Sequence, residues 1–514
     1  MTSSGHALGG TARGSAPGHR TRHPGIGATV GRVALTLGIA FGGLGAGAGY
    51  WQVIRSADLS SSPDDAAVIA AGRHVVRGDI TDRDGVRLAW SVLDVNGEPY
   101  RKYLSRATSG VIGYASRAFG SAGLERAYQA QLTGITAADP VQDLVKKFRS
   151  GTSDPQAIRT SLVEKLQETA VNALGDNRGA VVMLDPRTGE VLVLASTPVF
   201  DASAVADPGT SIATFAALQE DPEKPLLPRA TQGRYVPGSV FKIVTAIAGL
   251  GSGAITASTT FPEQPPAEKA GLLVTGFRVQ DGHHAATGAT ALDFVGATEV
   301  SCNIYYALAG LQTGGDALTS WAKKLGFGEP IPFDLRTATS QVTNGGGSFG
   351  GGFKDAVELA NAAYGQAETV VTPLQMALVA GTVANRGVLM RPHLIQAFLG
   401  NAGTVSVDPE IWRQVLPADL ADDIAGAMRQ AVEGRLGRLF TAGARVKGMT
   451  VAGKSGTAQL GGTGEPNSWF IGFAPAESPQ IAIAVVVEQG GHGSDRAAPI
   501  AGKLLATWKS WAGL

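Results

Sequence analysis

The chain has 514 residues, of which 44% are hydrophobic and 17% are charged, so we expect two or three folded domains rather than a disordered chain. Its formal net charge is zero, which gives no overall sign of nucleic-acid binding, and its 70 glycines follow no collagen period. The single cysteine, Cys302, excludes an intrachain disulfide and the usual cysteine-ligated zinc sites.

The N-terminal region predicts a membrane anchor. Residues 1–32 carry four arginines and no acidic residue, which indicates a disordered basic tail. Residues 33–54 contain no charge, and as a helix they would span roughly 30 Å, enough to cross a bilayer. Tyr50 and Trp51 lie at the far end, and the arginines place the tail in the cytoplasm and the remainder outside. A cleaved signal peptide is the alternative, although the apolar run is longer than a usual signal-peptide core.

Residues 55–158 form a second predicted unit, in which no reactive cluster of side chains is visible. Residues 77–89 predict two short strands joined by a tight turn at Asp84-Gly85. Residues 123–134 predict a short amphipathic helix that ends at Gly134. We therefore interpret this unit as a spacer or docking module.

Residues 159–514 show strand patterns at both ends with helical patterns between them. A helix that contains Leu162 and Leu174 precedes a predicted β-hairpin over residues 179–195. The spacing of residues 420–431 predicts another helix, and strands are predicted near Val451, at residues 469–473 and at residues 481–487, before a terminal helix. This order predicts an α+β fold, with one antiparallel sheet assembled from distant segments and packed on helices.

The most informative motif lies at the start of an apolar helix that follows Pro237 and Gly238. Ser239 opens this helix and Lys242 follows three residues later, so the two side chains share one face. A desolvated lysine has a lowered pKa and can then take the proton of a serine nucleophile. The pair alone is equally consistent with a helix N-cap serine and a lysine that reaches the surface.

A second polar motif is Ser301-Cys302-Asn303. Its spacing suits a turn that directs Ser301 and Asn303 into one cleft, where a hydroxyl can relay a proton and an amide can hold a peptide carbonyl. A surface turn is the plainer alternative. We interpret Cys302 as a small buried filler, and the pair His283-His284 as part of a solvated loop rather than a metal site.

A third polar motif, Lys454-Ser455-Gly456-Thr457, interrupts a predicted strand. Lys454 and Ser455 suit an anionic group of a ligand, and Gly456 allows a substrate backbone to lie close to the strand. The amide of Thr457 can stabilise an oxyanion together with the amide of Ser239.

Taken in chain order, the three motifs resemble those of penicillin-binding proteins and serine β-lactamases. Residues 77–85 and 123–125 are similar to the non-catalytic pedestal of the class B, monofunctional penicillin-binding proteins, and residues 372–375 and 469–475 to their transpeptidase domain. The resemblance covers roughly residues 73–510. It departs from the family at Ala367, where glycine is expected, and at Ser455, where many members have threonine.

This resemblance implies both an architecture and a location. It implies a cytoplasmic tail over residues 1–32, a transmembrane helix over 33–54, an elongated pedestal over 55–158, and a transpeptidase domain over 159–514 with an antiparallel sheet flanked by helices. The protein is then expected in the cell membrane as a single-pass protein with its catalytic domain outside the cytoplasm.

The resemblance also implies peptidoglycan D,D-transpeptidation through a serine acyl-enzyme, without cofactor or metal. A stem peptide ending in D-Ala-D-Ala would acylate the serine, an amine of a second stem peptide would then form the crosslink, and β-lactams would block the serine. The implied catalytic residues are Ser239, Lys242, Ser301 and Asn303. The implied substrate-binding residues are Lys454, Ser455, Gly456 and Thr457.

Several alternatives and one partner follow from the same resemblance. A D,D-carboxypeptidase or a β-lactamase would use the same three motifs, and a β-lactam sensor or scaffold is the non-enzymatic alternative. About 100 residues separate the predicted anchor from the catalytic unit, too few for a glycosyltransferase domain. The resemblance therefore implies a separate SEDS-type membrane glycosyltransferase as partner, and no nucleic acid.

Overall fold

The computed structural model describes residues 26–49, 74–135, 154–281, 291–459 and 464–514. The chain divides into two compact units, Met1–Ser62 and Pro63–Leu514. In the first unit, helix α1 spans Ile26–Gly49 and carries exposed apolar side chains, including Leu35, Ile39 and Phe41. The helix therefore begins within the predicted tail, whereas residues 1–25 and 50–54 lie outside the described residues.

Among the helices described, none combines the length and the apolar character that a membrane crossing requires.

The second unit opens with short strands and helices. The strands are β1 Ile80–Thr81, β2 Arg87–Leu93, β3 Pro99–Tyr103, β4 Ala115–Ser116, β5 Gly120–Ser121 and β6 Ala157–Thr160. The helices are α2 Ser109–Ile112, α3 Gly123–Ala127 and α4 Gln129–Thr133. The turn predicted at Asp84-Gly85 does join β1 to β2, and Gly134 ends α4 with a φ of 67°. The single helix predicted over residues 123–134 is instead two helices that meet at Tyr128.

The remainder of the unit alternates between strands and helices. The strands are β7 Gly179–Leu184, β8 Val191–Thr197, β9 Leu272–Val274, β10 Phe277–Val279, β11 Val388–Met390, β12 Ile395–Gly400, β13 Gly403–Ser406, β14 Ile411–Gln414, β15 Ala452–Ala458, β16 Asn467–Ala474 and β17 Ile481–Val487. The helices are α5 Glu164–Leu174, α6 Ala202–Ala206, α7 Ser211–Glu220, α8 Arg229–Gln232, α9 Lys242–Gly251, α10 Gln264–Ala270, α11 Phe294–Glu299, α12 Asn303–Thr313, α13 Gly315–Lys324, α14 Ala356–Ala363, α15 Pro373–Ala384, α16 Ala418–Glu433, α17 Arg438–Thr441 and α18 Ala497–Trp511.

The sheet that positions the site has five strands in the order β15-β16-β17-β7-β8, and every neighbouring pair is antiparallel. Helices α5 and α18 pack on one face, where their apolar side chains meet alternate residues of the strands. Helix α15 packs on the other face, against β17, β16 and β7. Because the sheet is covered on both faces, the strands β7 and β17 read as continuous apolar runs rather than alternating ones. The α+β prediction is confirmed.

A second sheet joins early and late parts of the chain. Its six strands run in the order β13-β12-β6-β1-β2-β3, so residues 395–400 of β12 pair with β6, which ends at residue 160. Beneath β1–β3, the buried carboxylate of Glu125 accepts hydrogen bonds from Arg77 and Arg101, both at 2.7 Å. The expected boundary near residue 158 therefore lies inside β6, within this shared sheet.

Candidate active site

Ser239 lies in a short 3₁₀ helix, Gly238–Phe241, that leads directly into α9. Gly238 has a φ of 56°, and its N–H donates to the carbonyl of Gly365 at 2.8 Å. A Cβ at Gly238 would lie 2.5 Å from the carbonyl oxygen of Thr457, so only glycine fits between these two backbones. The indole of Trp469 fixes the entry to the turn by donating to the carbonyl of Val236 at 3.0 Å.

Lys242 is fully buried at the first position of α9, one turn after Ser239. Its Nζ donates to the carbonyl of Ser301 at 2.6 Å and to Oδ1 of Asn303 at 2.8 Å, and it lies 3.2 Å from Oγ of Ser301. Burial is the main cause that lowers the pKa of Lys242 to about 8, against a smaller raising effect of Asp281. A buried lysine with this pKa can act as a base near neutral pH.

The apolar packing around the helix that carries Lys242 compensates for the cost of burying the lysine. Phe241, Ile243, Val244 and Ile247 are completely buried around it. Each such side chain contributes about 1.5–3 kcal/mol of hydrophobic stabilisation, whereas a buried charge costs several kcal/mol. The apolar faces of α9 therefore offset the cost of placing one lysine in the interior.

Ser301 lies in a turn between α11 and α12, with a left-handed φ of 61°. Its hydroxyl is shared by two lysines, because Nζ of Lys454 donates to Oγ of Ser301 at 2.8 Å while Lys242 approaches from the other side. Asn303 begins α12 and directs its Oδ1 to Lys242. A hydroxyl between two amines can pass a proton from one to the other.

Lys454 belongs to β15, the edge strand of the five-stranded sheet, and is buried. Besides Ser301, its Nζ donates to the carbonyl of Ser455 at 2.8 Å. Burial, and next the charge of Lys242, hold the pKa of Lys454 well below its usual range. Charge on one lysine thus disfavours charge on the other. A Cβ at Gly456 would lie 3.0 Å from the carbonyl of Pro237, so this strand runs directly beside the Ser239 turn.

A single cleft of about 720 Å³ brings the motifs together. Six of the eight residues that the sequence singles out line it, and Lys242 and Lys454 lie buried beneath its floor. The six are Ser239, Ser301, Asn303, Ser455, Gly456 and Thr457. The first and the last of the three motifs lie more than 200 residues apart along the chain, and the fold brings all three to one cleft.

Sequence reasoning missed Asp281, which lines the same cleft. Its Oδ2 accepts hydrogen bonds from the backbone N–H groups of Asn303 and Ile304, the latter at 3.4 Å. No spacing rule links residue 281 to a turn about 20 residues later, so the sequence offered no signal for it. The neighbouring pair His283-His284 lies outside the described residues.

Cys302 is buried, as expected, but its thiol also has a defined structural role. Its Sγ accepts a hydrogen bond from the N–H of Tyr305 and donates to Glu268, both at 3.2 Å. Burial raises the pKa of the Cys302 thiol well above its usual range, which keeps it protonated and unreactive. Glu268, Asp281 and Cys302 each carry an atom that could bind a metal ion, and these three atoms lie within 4.8 Å of one another. Sγ of Cys302 and Oδ2 of Asp281 already accept hydrogen bonds from backbone N–H groups.

Comparison with known families agrees with this geometry. Residues 179–506 match the family described as the penicillin binding protein transpeptidase domain. Residues 77–156 match the family described as the penicillin binding protein A dimerisation domain. The first match contains all three motifs, and the second contains the buried contacts of Glu125.

Individual relatives are similar along nearly the whole chain. A peptidoglycan D,D-transpeptidase PbpA of Mycolicibacterium smegmatis is 33% identical over 92% of this chain and 96% of its own length. The protein of the same name from Mycobacterium tuberculosis is 31% identical, over 88% of this chain and 92% of its own. The structure of penicillin-binding protein A from M. tuberculosis as a ceftriaxone acyl-enzyme complex has a TM-score of 0.75 and 28% identity, and covers 85% of this chain and 99% of that chain.

Proposed function

Because the chain belongs to the class B penicillin-binding protein family, we propose that it is a peptidoglycan D,D-transpeptidase that forms its acyl-enzyme on Ser239. The observation that carries this proposal is the meeting of three distant motifs in one cleft, with two buried lysines sharing the hydroxyl of Ser301. The relatives named as D,D-transpeptidases and the acyl-enzyme of the M. tuberculosis protein support the same chemistry.

The first half of the reaction uses Lys242 as the base. Neutral Lys242 takes the proton of Ser239 as its oxygen attacks the carbonyl carbon of the penultimate D-Ala. The tetrahedral intermediate places its negative oxygen between the backbone N–H groups of Ser239 and Thr457. The close packing of Gly238 against the Thr457 carbonyl supports this, because it brings the two backbones side by side.

Collapse of the intermediate breaks the peptide bond and releases the terminal D-Ala. Its amine needs a proton, which Lys242 returns through the hydroxyl of Ser301. The terminal carboxylate of the donor is held by Lys454 and Ser455, and this carboxylate favours the charged form of Lys454. The positive charge of Lys454 disfavours a second positive charge on Lys242. Substrate binding therefore favours the neutral form of Lys242, which acts as the base.

In the second half, an amine of a neighbouring stem peptide attacks the acyl-enzyme. Lys242 accepts the proton of the attacking amine, and Ser239 leaves with a proton restored to its oxygen. The products are the crosslinked peptide and the free enzyme. Asn303 orients the donor, because its side chain lies at the cleft and already binds Lys242.

The proposal is tested by labelling with a fluorescent penicillin. We expect the wild-type protein to be labelled and Ser239→Ala to remain unlabelled, because that variant has no oxygen to acylate. Ser494→Ala is the matched control, since Ser494 also lines the cleft but belongs to none of the three motifs. Labelling of Ser239→Ala at the wild-type level would refute the assignment. Mass spectrometry of products from donor and acceptor stem peptides then separates crosslinking from simple release of D-Ala.

We further propose that the protein is a single-pass membrane protein with a cytoplasmic N-terminus and a catalytic unit outside. The uncharged run over residues 33–54, the preceding arginines, and the exposed apolar side chains along α1 support this proposal. We also propose a SEDS-type membrane glycosyltransferase, which supplies new glycan strands, as a partner, and co-purification with that protein tests the pairing.

Protease added to intact spheroplasts tests this topology. We expect the catalytic unit to be degraded while a tag fused to Met1 stays protected inside the cell. A cytoplasmic protein serves as the internal control for intact membranes. Complete protection of the catalytic unit would contradict the proposed orientation.

A further inference from the structure

We propose that Asp281 is a positioning residue for acyl transfer, which holds the Ser301–Asn303 turn in place and supplies a negative charge to the two lysines beneath the cleft. The inference rests on the proposed function, because it assigns a role within the same site. Asp281 belongs to none of the three motifs, follows β10 in the chain, and lines the cleft.

The carboxylate of Asp281 binds the turn at the start of α12. The first N–H groups of a helix have no partner within the helix, and a negative charge is favourable there. Oδ2 of Asp281 accepts from the N–H groups of Asn303 and Ile304. The preceding residue, Gln280, adds a second contact, because its carbonyl accepts from the side-chain amide of Asn303 at 3.3 Å. Residues 280–281 thereby fix both the backbone and the side chain of Asn303.

This support is needed because the turn is strained. A serine with a φ of 61° lies in the left-handed region, which is unfavourable for residues other than glycine and persists only where the surroundings impose it. The turn provides Lys242 with three contacts, namely the carbonyl and hydroxyl of Ser301 and Oδ1 of Asn303. A relaxed turn would withdraw these contacts from the base.

Asp281 also adjusts the charge of both lysines. Burial lowers the pKa of Lys242 and of Lys454, and the carboxylate of Asp281 opposes the fall at each. Lys454 must remain cationic to hold the donor carboxylate, whereas Lys242 must lose its proton. Among the described residues, the titratable and charged groups near Asp281 and the two lysines on neighbouring elements include Glu268, Cys302, Tyr306 and Tyr364, and Arg278 and His492 line the same cleft.

The test is the pH dependence of acylation by a fluorescent penicillin in the full-length protein. In Asp281→Asn, the amide keeps an oxygen that can accept from Asn303, but the charge is lost. We expect the acidic limb of the rate profile to move to lower pH by about half a pH unit or more, and the rate at its plateau to fall about tenfold or more. Asp281→Glu, which keeps the charge, should restore the position of the acidic limb.

Asp201→Asn is the control, because Asp201 also caps a helix N-terminus, through the N–H of Ala204 at 3.0 Å, but does not line the cleft. A purely structural role for Asp281 would lower the melting temperature without moving the acidic limb. An unmoved limb in Asp281→Asn, with wild-type labelling of Ser239, overturns this inference and leaves the proposed function intact. Absence of labelling in the wild type would overturn the proposed function itself.

Discussion

Lys242 combines full burial with three polar contacts, and this combination makes a sharp pH prediction. Because burial lowers its pKa to about 8, the neutral form that acts as base increases as the pH rises through that value. We therefore expect the acylation rate constant of the wild type to rise between about pH 7 and pH 9.

Lys242→Arg should remove this pH dependence, since a guanidinium stays protonated over the whole range. We expect acylation about 10²–10⁴-fold slower than in the wild type, with no inflection near pH 8. Stopped-flow measurement of penicillin acylation at a series of pH values checks both statements. An arginine variant that acylates at the wild-type rate would show that Lys242 is not the base.

At the scale of single residues, the three motifs can be predicted from the sequence, whereas the residues that hold them in position cannot. Ser239 and Lys242 were visible because a helix places residues three apart on one face. Asp281 was not visible, since its contact with Asn303 depends on how β10 meets α12 in three dimensions. Ala367 replaces the glycine expected from the family, and its φ of 60° shows that glycine would suit this position because of its backbone conformation.

Elements with strong local patterns were predicted, and elements defined by tertiary contacts were not. The hairpin β7–β8 and the strands β16 and β17 follow from apolar runs and turn residues. The strands β12 and β13 have no comparable signal: β12 forms by pairing with β6, and β13 forms by pairing with β12. The break between α3 and α4 likewise has a tertiary cause, because Tyr128 leaves the helix to hydrogen-bond Asp334.

Helix α3 has a second function besides its own packing, because it carries Glu125 into the interior. Arg77 precedes β1, Arg101 lies in β3, and both guanidinium groups reach the same carboxylate. Burial alone would raise the pKa of Glu125, but the charges of Arg101 and Arg77 outweigh it and hold that pKa below its ordinary value. This contribution to stability is therefore complete at neutral pH, and it is lost as the pH falls through the lowered pKa.

At the scale of the whole molecule, the six-stranded sheet couples the region of Glu125 to the catalytic part. Strand β1 pairs with β6, and β6 pairs with β12, which lies only 11 residues after α15 of the catalytic core. A substitution that unfolds β1 and β6 therefore removes the strand with which β12 pairs. We expect the two parts to unfold in a single transition.

Glu125→Ala tests this coupling. It leaves two buried arginines without a counter-charge, so we expect a loss of roughly 3–5 kcal/mol in the free energy of unfolding. The thermal midpoint measured by circular dichroism and the midpoint for loss of penicillin labelling should fall together by several degrees. Glu410→Ala is the matched control, because it removes an exposed ion pair of the same 2.7 Å length to Arg391, and both midpoints should stay in place. If the labelling midpoint stays while the circular dichroism midpoint falls, the two parts melt independently, and the shared sheet does not transmit stability to the active site.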